Sequence, residues 1–350
     1  MTRARPRTRV LICEDSRTFA TALTRTLEHG GEIEVIAVRT TAETAIADLE
    51  RLKPDLVTMD IELPGMSGLE AVEQIMSVRP TPILVLSSHV SSSNDTAAAA
   101  LAAGALDALG KDDLPLTAPD SAAAAALRRR VKVLSGAHVI RHPRARLSGR
   151  KGRPATKPAP RGAVIGICAS TGGPQALAAV LSGIPASFPV PILIVQHITA
   201  GFTEGLAHWL DGAVPLPVRL AEDGAAIAPG VSVAPDGAHL VVRGARLELD
   251  RASPAGLHRP SADMLLQSIA ESAGSAGVAV VLTGMGRDGA AGLGAVQAAG
   301  GLTIAQDEAT SAVYGMPKEA AKHGAKHILP LAQIATMLAT VAPERRKAPR

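Results

Sequence analysis

Aromatic side chains are nearly absent: Trp209, Tyr314 and three Phe make up 1% of the 350 residues. So few rings exclude a stacking platform for single-stranded bases or an aromatic cage for a cation. The cores must therefore be built from Ala, Val, Leu and Ile. Cysteine is almost as scarce. Cys13 and Cys168 each sit inside an apolar run, which rules out a disulfide framework and fits a reducing compartment. No apolar stretch approaches the roughly 18 to 20 residues that span a bilayer, and the Arg-rich start runs into a strand without a signal-type apolar region. The expected location is the cytoplasm, with no membrane insertion.

What is present is ordinary globular material, 47% hydrophobic and 19% charged, with a formal net charge of +4. At about 150 residues per domain the length suggests two domains. Basic charge is concentrated in two places. Arg3, Arg5, Arg7 and Arg9 crowd the start, and residues 137–161 hold Arg141, Arg144, Arg146, Arg150, Lys151, Arg153, Lys157 and Arg161 with no Asp or Glu. Elsewhere acidic residues exceed basic ones, so the folded parts are acidic and a nucleic-acid partner is not expected.

Short β-type runs at 9–13, 34–38, 56–59, 83–86 and 105–109 alternate with Ala-rich helical stretches, which predicts βαβ units around a parallel sheet. A helix over 121–134 closes this first domain, placed at 7–136. The segment 137–161 carries Pro143, Pro154, Pro158 and Pro160 beside its basic run and reads as a flexible linker. Runs at 163–168, 191–195, 218–220, 231–234, 239–242 and 277–282 predict a second α/β domain at 162–340. The fold class is thus two doubly wound parallel-sheet domains.

Ligands of such sheets sit beyond the strands' carboxyl ends. Glu14 and Asp15 follow the first strand and Asp60 the third, with Ser87 and Lys111 at the ends of the fourth and fifth. Converging carboxylates suit a hard cation such as Mg²⁺. In the second half, Ala169-Ser170-Thr171-Gly172-Gly173-Pro174 turns from a strand into a helix. Ser170 there is either a nucleophile or a helix cap. Two further strand ends carry His197 and, in Thr283-Gly-Met-Gly-Arg-Asp288-Gly289, Asp288, and a hydroxyl nucleophile needs an imidazole and an acid to orient it. His208, His239 and His258 lack a clear strand-end setting. No His or Cys pair has zinc-ligand spacing, and Cys168 stands where the Gly-x-Ser-x-Gly elbow has Gly.

The segments Leu11-Ile-Cys-Glu-Asp-Ser16 and Met59-Asp-Ile-Glu-Leu-Pro-Gly-Met-Ser-Gly68 resemble receiver domains of two-component response regulators. That resemblance implies Asp60 as phospho-acceptor, Glu14, Asp15 and Asp60 holding Mg²⁺, and Ser87 and Lys111 contacting the phosphoryl oxygens. Ala108 stands where receivers often carry an aromatic switch residue, and Asp112 where Pro often follows the Lys. Ala169-Ser-Thr-Gly-Gly173, Gln196-His197, Gly201-Phe-Thr203, Val233-Ala-Pro-Asp-Gly-Ala-His239, His258-Arg-Pro-Ser261, Leu282-Thr-Gly-Met-Gly286 and Tyr314-Gly-Met-Pro-Lys-Glu-Ala320 closely resemble the CheB-type protein-glutamate methylesterases of chemotaxis. This second resemblance implies a flavodoxin-like receiver followed by a Rossmann-like catalytic domain.

By position it implies Ser170 as nucleophile, His197 as general base, Asp288 as the orienting acid and the Met285 N–H at the oxyanion. The implied activity hydrolyses glutamate methyl esters of chemoreceptors, releasing methanol, and deamidates receptor glutamines, with no cofactor for the esterase reaction. The implied partners are methyl-accepting chemoreceptors and a chemotaxis histidine kinase, whose phosphorylation of Asp60 relieves inhibition by the receiver. A non-catalytic response regulator, or an esterase acting on a receptor outside chemotaxis, remains the alternative.

Overall fold

The computed structural model describes residues 7–88, 91–139, 162–253 and 258–341, without the side chains of 91–95. Most of the expected linker, residues 140–161, lies outside the described residues. The chain divides into two compact units, Met1–Ala145 and Arg146–Arg350. No helix among the described residues is long and apolar enough to cross a membrane.

The first unit runs β1 (Thr8–Cys13), α1 (Arg17–Glu28), β2 (Ile33–Arg39), α2 (Ala42–Leu52), β3 (Leu56–Asp60), α3 (Gly68–Val78), β4 (Ile83–Ser87), α4 (Ser91–Ala103), β5 (Asp107–Gly110) and α5 (Ala122–Ser135). Its five strands are parallel in the order β2-β1-β3-β4-β5. Val10 to Cys13 and the whole of β3 and β4 are buried, as expected of strands covered by helices on both faces. Strand order reverses between β1 and β3, so their carboxyl ends open a crevice there. β5 starts two residues later than the sequence suggests. Ala105 and Leu106 pack in the preceding turn, where the Leu106 N–H already bonds Ile83 O (3.0 Å).

The turn after β3 is set by a close approach. Gly68 opens α3 behind a capping box in which the Ser67 hydroxyl and the Glu70 carboxylate each accept the other's backbone N–H. A Cβ at Gly68 would stand 2.0 Å from Asp60 O and 2.7 Å from Ile61 Cα. Only glycine lets the helix start against the Asp60 backbone.

The second unit runs β6 (Val164–Ala169), α6 (Gly173–Ser182), β7 (Ile192–Gln196), α7 (Thr203–Ala213), β8 (Val218–Leu220), β9 (Val231–Val233), β10 (His239–Arg243), β11 (Arg246–Asp250), α8 (Ala262–Ala273), β12 (Gly277–Val281), α9 (Ala290–Ala298), β13 (Leu302–Gln306), α10 (Met316–Lys322), β14 (His327–Leu329) and α11 (Leu331–Ala339). Seven strands form a parallel sheet in the order β14-β13-β12-β6-β7-β9-β8. The first strand, β6, is central. The chain builds outward from it in one direction and later returns to add β12 on its other side, which makes the carboxyl ends of β7, β6 and β12 the switch point.

One expected strand behaves differently. The run at 239–242 does not join the main sheet but pairs antiparallel with β11 in a two-stranded ribbon, whose Leu240, Val242 and Leu247 pack into the same core as Leu265, Leu266 and Ile269 of α8. Strands β11, β13 and β14 were not among the expected runs. Two apolar cores, one on each face of the sheet, are almost wholly aliphatic, Phe188 being the one fully buried ring in them.

The Gly68 contact yields a local test. Gly68→Ala should destabilise the first unit by about 1–3 kcal/mol through overpacking against backbone. Calorimetry should show that unit's transition shifted down and the second unit's unchanged. Equal melting of variant and wild type would mean that the α3 entry relaxes freely.

Candidate functional site

Three adjacent strand ends converge in the second unit. Ala169 pairs in register with Gln196 and Val281 with Cys168, so the residues just beyond them are neighbours. The His197 N–H continues the ladder to Ala169 O (2.9 Å), and the Ser170 N–H donates to Thr283 O (3.0 Å). Ser170, half-buried, occupies the turn into α6, where Gly172 takes the left-handed conformation at φ 70°. Its hydroxyl makes no hydrogen bond among the described residues, so the seryl Oγ is unengaged, as is common before substrate binds.

His197 Nε2 lies 2.9 Å from Asp288 Oδ2. The contact is oblique, and His197 Nδ1 is buried with no partner of its own. Asp288 follows β12 and faces the N-terminus of α8. Its Oδ2 accepts the Ala262 N–H (2.8 Å), while Oδ1 accepts the Asp263 N–H (2.9 Å) and the Ser261 hydroxyl (3.1 Å). Burial opposes ionisation of Asp288, but the imidazole and these backbone donors prevail and hold its carboxyl well below the usual range. Asp263 shows the reverse: burial first, and then the charge of Asp288, push its carboxyl up. Cys168, buried beneath the pair, has its thiol raised by burial and by both carboxylates, which leaves it an inert filler in the strand before Ser170.

Other sequence motifs buttress this centre. The Gly284 carbonyl accepts the N–H groups of Gly315 (3.1 Å) and Met316 (2.8 Å), so the Tyr314–Ala320 motif holds the turn bearing Met285. The Met285 N–H itself has no acceptor among the described residues. Asp236 accepts the Gly201 N–H (2.7 Å) and the Thr203 hydroxyl (2.5 Å), fixing the loop beyond His197. Gln306 Oε1 accepts the Thr283 N–H (2.8 Å), and Thr283 Oγ1 donates to Thr171 O (3.0 Å).

The first unit gathers its own cluster. Glu14, Asp15 and Asp60 each present a carboxylate oxygen, all within 4.8 Å of one another, at the β1/β3 crevice. Lys111 Nζ lies 2.7 Å from Asp60 Oδ2 and 3.1 Å from Glu14 Oε1, with Glu14 Oε2 nearer at 2.8 Å but without hydrogen-bond alignment. The ammonium also sits over the Phe19 ring at 4.9 Å. Burial raises the Glu14 carboxyl despite Lys111. Burial also works against the Lys111 charge, but Asp60 and Glu14 more than compensate and raise it. Ser87 is buried, and its hydroxyl donates to Ser88 O (3.2 Å). Ala108 is buried in β5 and offers no ring that could swing. The site residues come from β1, β3, β4 and β5; β2 contributes none.

Residues 165–338 match the CheB methylesterase family, and residues 10–115 match the response regulator receiver domain. The protein-glutamate methylesterase/protein-glutamine glutaminase 4 of Myxococcus xanthus (strain DK1622) is 45% identical over 319 residues, 88% of this chain and 89% of that protein. The chain belongs to the CheB methylesterase family. The protein-glutamate methylesterase FrzG of Myxococcus xanthus is 45% identical over 84% of this chain and 86% of its own length. The crystal structure of the Thermotoga maritima CheB methylesterase catalytic domain is 39% identical, with a TM-score of 0.50 over 52% of this chain and all of that one. The receiver match on the first unit and the CheB match on the second agree with two parallel α/β folds.

Within this CheB-family site, sequence reasoning undervalued His258. It stacks on His197 with ring centroids 4.2 Å apart and an interplanar angle of 18°. It comes from the irregular segment before α8, so no strand-end rule could find it; the signal was its place three residues before the helix cap Ser261. That cap also proved bifunctional, because its hydroxyl both serves α8 and donates to Asp288.

The environment of Asp288 fixes a pH signature. A carboxyl depressed by folding adds stability above its unfolded pKa of about 3.9 and loses it as pH falls through the lower folded value. Asp288→Asn turns an amide toward backbone donors and should cost about 1–3 kcal/mol at neutral pH. Denaturant titrations should show that gap closing below about pH 4. A gap of constant size from pH 7 to 3 would refute the charge-based account.

Proposed function

We propose that this chain is a phosphorylation-controlled protein-glutamate methylesterase acting on methylated chemoreceptors, with Ser170, His197 and Asp288 as its catalytic residues. The observation that carries this reading is the His197–Asp288 contact one strand from Ser170, at the switch point of a CheB-family fold. Nε2 is the ring nitrogen nearest Asp288, at 2.9 Å, so Nδ1 is the nitrogen assigned to the serine in this reading.

The Ser170 Oγ attacks the ester carbonyl carbon as its proton moves to His197 Nδ1. The imidazolium that forms is stabilised by the Asp288 carboxylate, which the α8 donors keep ionised. The carbonyl oxygen takes up the electron pair, and the Met285 N–H, which has no acceptor among the described residues, is the proposed donor to that charge. Collapse expels methoxide, which leaves as methanol with the proton from His197. Water then repeats the sequence on the acyl-serine and releases glutamate. A carboxamide follows the same path with ammonia leaving, so glutamine deamidation belongs to the same reading. The names of the Myxococcus xanthus relatives support both activities.

In the first unit, Asp60 is the proposed phospho-acceptor, with a chemotaxis histidine kinase as donor. The oxygen chemistry and spacing of Glu14, Asp15 and Asp60 suit Mg²⁺. Bound there, the cation would neutralise charge on the incoming phosphoryl group. Lys111 is in place to follow the phosphoryl oxygens. Ser87 must turn from Ser88 O to do so. The proposed location is the cytoplasm, where the receptor helices and kinase would be met.

Methanol release from methylated receptor membranes tests the chemistry. Wild type should release methanol, and Ser170→Ala should lose at least about 10³-fold in rate while melting normally. Substantial turnover by a folded Ser170→Ala would remove Ser170 from the mechanism. Control is tested separately: a small-molecule phosphodonor with Mg²⁺ should accelerate wild type but not Asp60→Ala. Equal stimulation of both would place control elsewhere.

A further inference from the structure

Gln196 is the last residue of β7 and is 3% exposed. Its Nε2 donates to Ser170 O (2.7 Å) and to His197 O (2.9 Å). Both acceptors are carbonyl oxygens, which cannot donate, so the amide's NH₂ end must face them. One side chain thus spends its two N–H groups on one carbonyl from the nucleophile and one from the base.

The strand ladder itself stops one step short of this point. The His197 N–H bond to Ala169 O is the last backbone tie between β6 and β7. Beyond it, Ser170 leads into α6 and His197 into the loop before α7, and Gln196 supplies the missing rung. The Ser170 carbonyl also accepts the Gly173 N–H (2.8 Å), so two donors hold the peptide plane that follows the nucleophile. The room for this is made by Gly173, where a Cβ would fall 2.0 Å from Gln196 Oε1. That Oε1 is buried without a partner. A leucine or methionine would avoid burying the unpartnered Oε1 but would take away the donor that meets the His197 and Ser170 carbonyls, so the amide's place here is explained by those two bonds rather than by packing.

We infer that Gln196 is a positioning residue that locks the Ser170 and His197 backbones in reactive alignment through their two carbonyls. The inference rests on the proposed roles of Ser170 and His197. Misplacement of reacting groups by about an ångström can cost about 100-fold in rate, and loss of this clamp acts on alignment rather than on substrate binding.

Gln196→Met keeps length and burial but donates nothing. With methylated receptor membranes, it should lower kcat by about 10- to 100-fold and leave KM nearly unchanged, with the second unit still melting cooperatively. A folded Gln196→Met with kcat within about twofold of wild type overturns the inference. If that variant does not fold, Gln196→Glu decides. Its carboxylate repels both carbonyls when ionised and regains one O–H donor when protonated, so the ratio of variant to wild-type kcat should rise as pH falls. A ratio independent of pH overturns the inference. The Ser170→Ala arm run beside these decides the underlying reading, because residual release there condemns the nucleophile assignment whatever Gln196 does.

Discussion

The catalytic unit depends on one half-buried carboxylate. Asp288 cannot remain ionised out of water unless its lone pairs are met, and the N-terminus of α8 meets them with the Ala262 and Asp263 N–H groups and the Ser261 hydroxyl. The same contacts satisfy donors that the helix would otherwise leave open. A structural need of the helix and an electrostatic need of the imidazole are thereby answered by one group. The neighbouring Asp263 turns to Gly289 and Gly292, whose N–H groups it accepts at 2.9 and 2.8 Å. It braces the turn behind Asp288 from the other side. Two carboxylates this close are tolerable because their environments push them apart, Asp288 down and Asp263 up.

The first unit solves a similar problem with a mobile charge rather than a fixed dipole. Glu14 and Asp60 are buried while Asp15 is exposed, and Lys111 bridges the two buried ones. One ammonium against three carboxylates leaves the crevice strongly negative, which is the condition that favours a hard dication. Lys111 reaches the cluster on a long flexible stem, so it can shift within the crevice without moving the sheet. The aromatic group near the ammonium is Phe19, from α1, while Ala108 in β5 has no ring to reorient. No ring of β5 can therefore take part in any switching of this unit.

Much of this was legible from sequence because parallel α/β folds put chemistry at strand ends. Glu14, Asp15, Asp60, Ser87, Lys111, Ser170, His197 and Asp288 all sit one or a few positions past β-type runs, where period and turn chemistry mark them. What stayed hidden followed from contacts across long sequence distances. His258 and Gln196 stood in motifs of the family resemblance, but the His258 stack on His197 and the Gln196 bonds to Ser170 O and His197 O had no mark there, and Gln306 supports Thr283 from the next strand. The antiparallel β10–β11 ribbon was missed for a related reason: a short apolar run does not announce which sheet it joins. Strand β13, Leu302-Thr-Ile-Ala-Gln306, carries a usable β pattern that the reading passed over.

The scarcity of aromatic residues also shapes the catalytic unit. With almost no rings to fill space, its cores close by bringing Ala, Val, Leu and Ile near the backbone, and small residues recur where elements touch the site. Gly284 admits the Ser170 Cβ, which would lie 2.7 Å from a Cβ there, and Gly173 admits the Gln196 amide. Close backbone approach in turn makes carbonyl and N–H groups, rather than long side chains, the parts that set alignment. Ser170 is held by Thr283 O and Gly173 N, and His197 by Ala169 O; the Gln196 amide and the Asp288 carboxylate are the side chains that add to this. Alignment built from backbone rungs has little freedom to drift, because moving Ser170 means breaking the sheet edge from which it emerges. The site's precision is thus a property of the β7-β6-β12 register, with Gln196 and Asp288 closing the two gaps that the register leaves open.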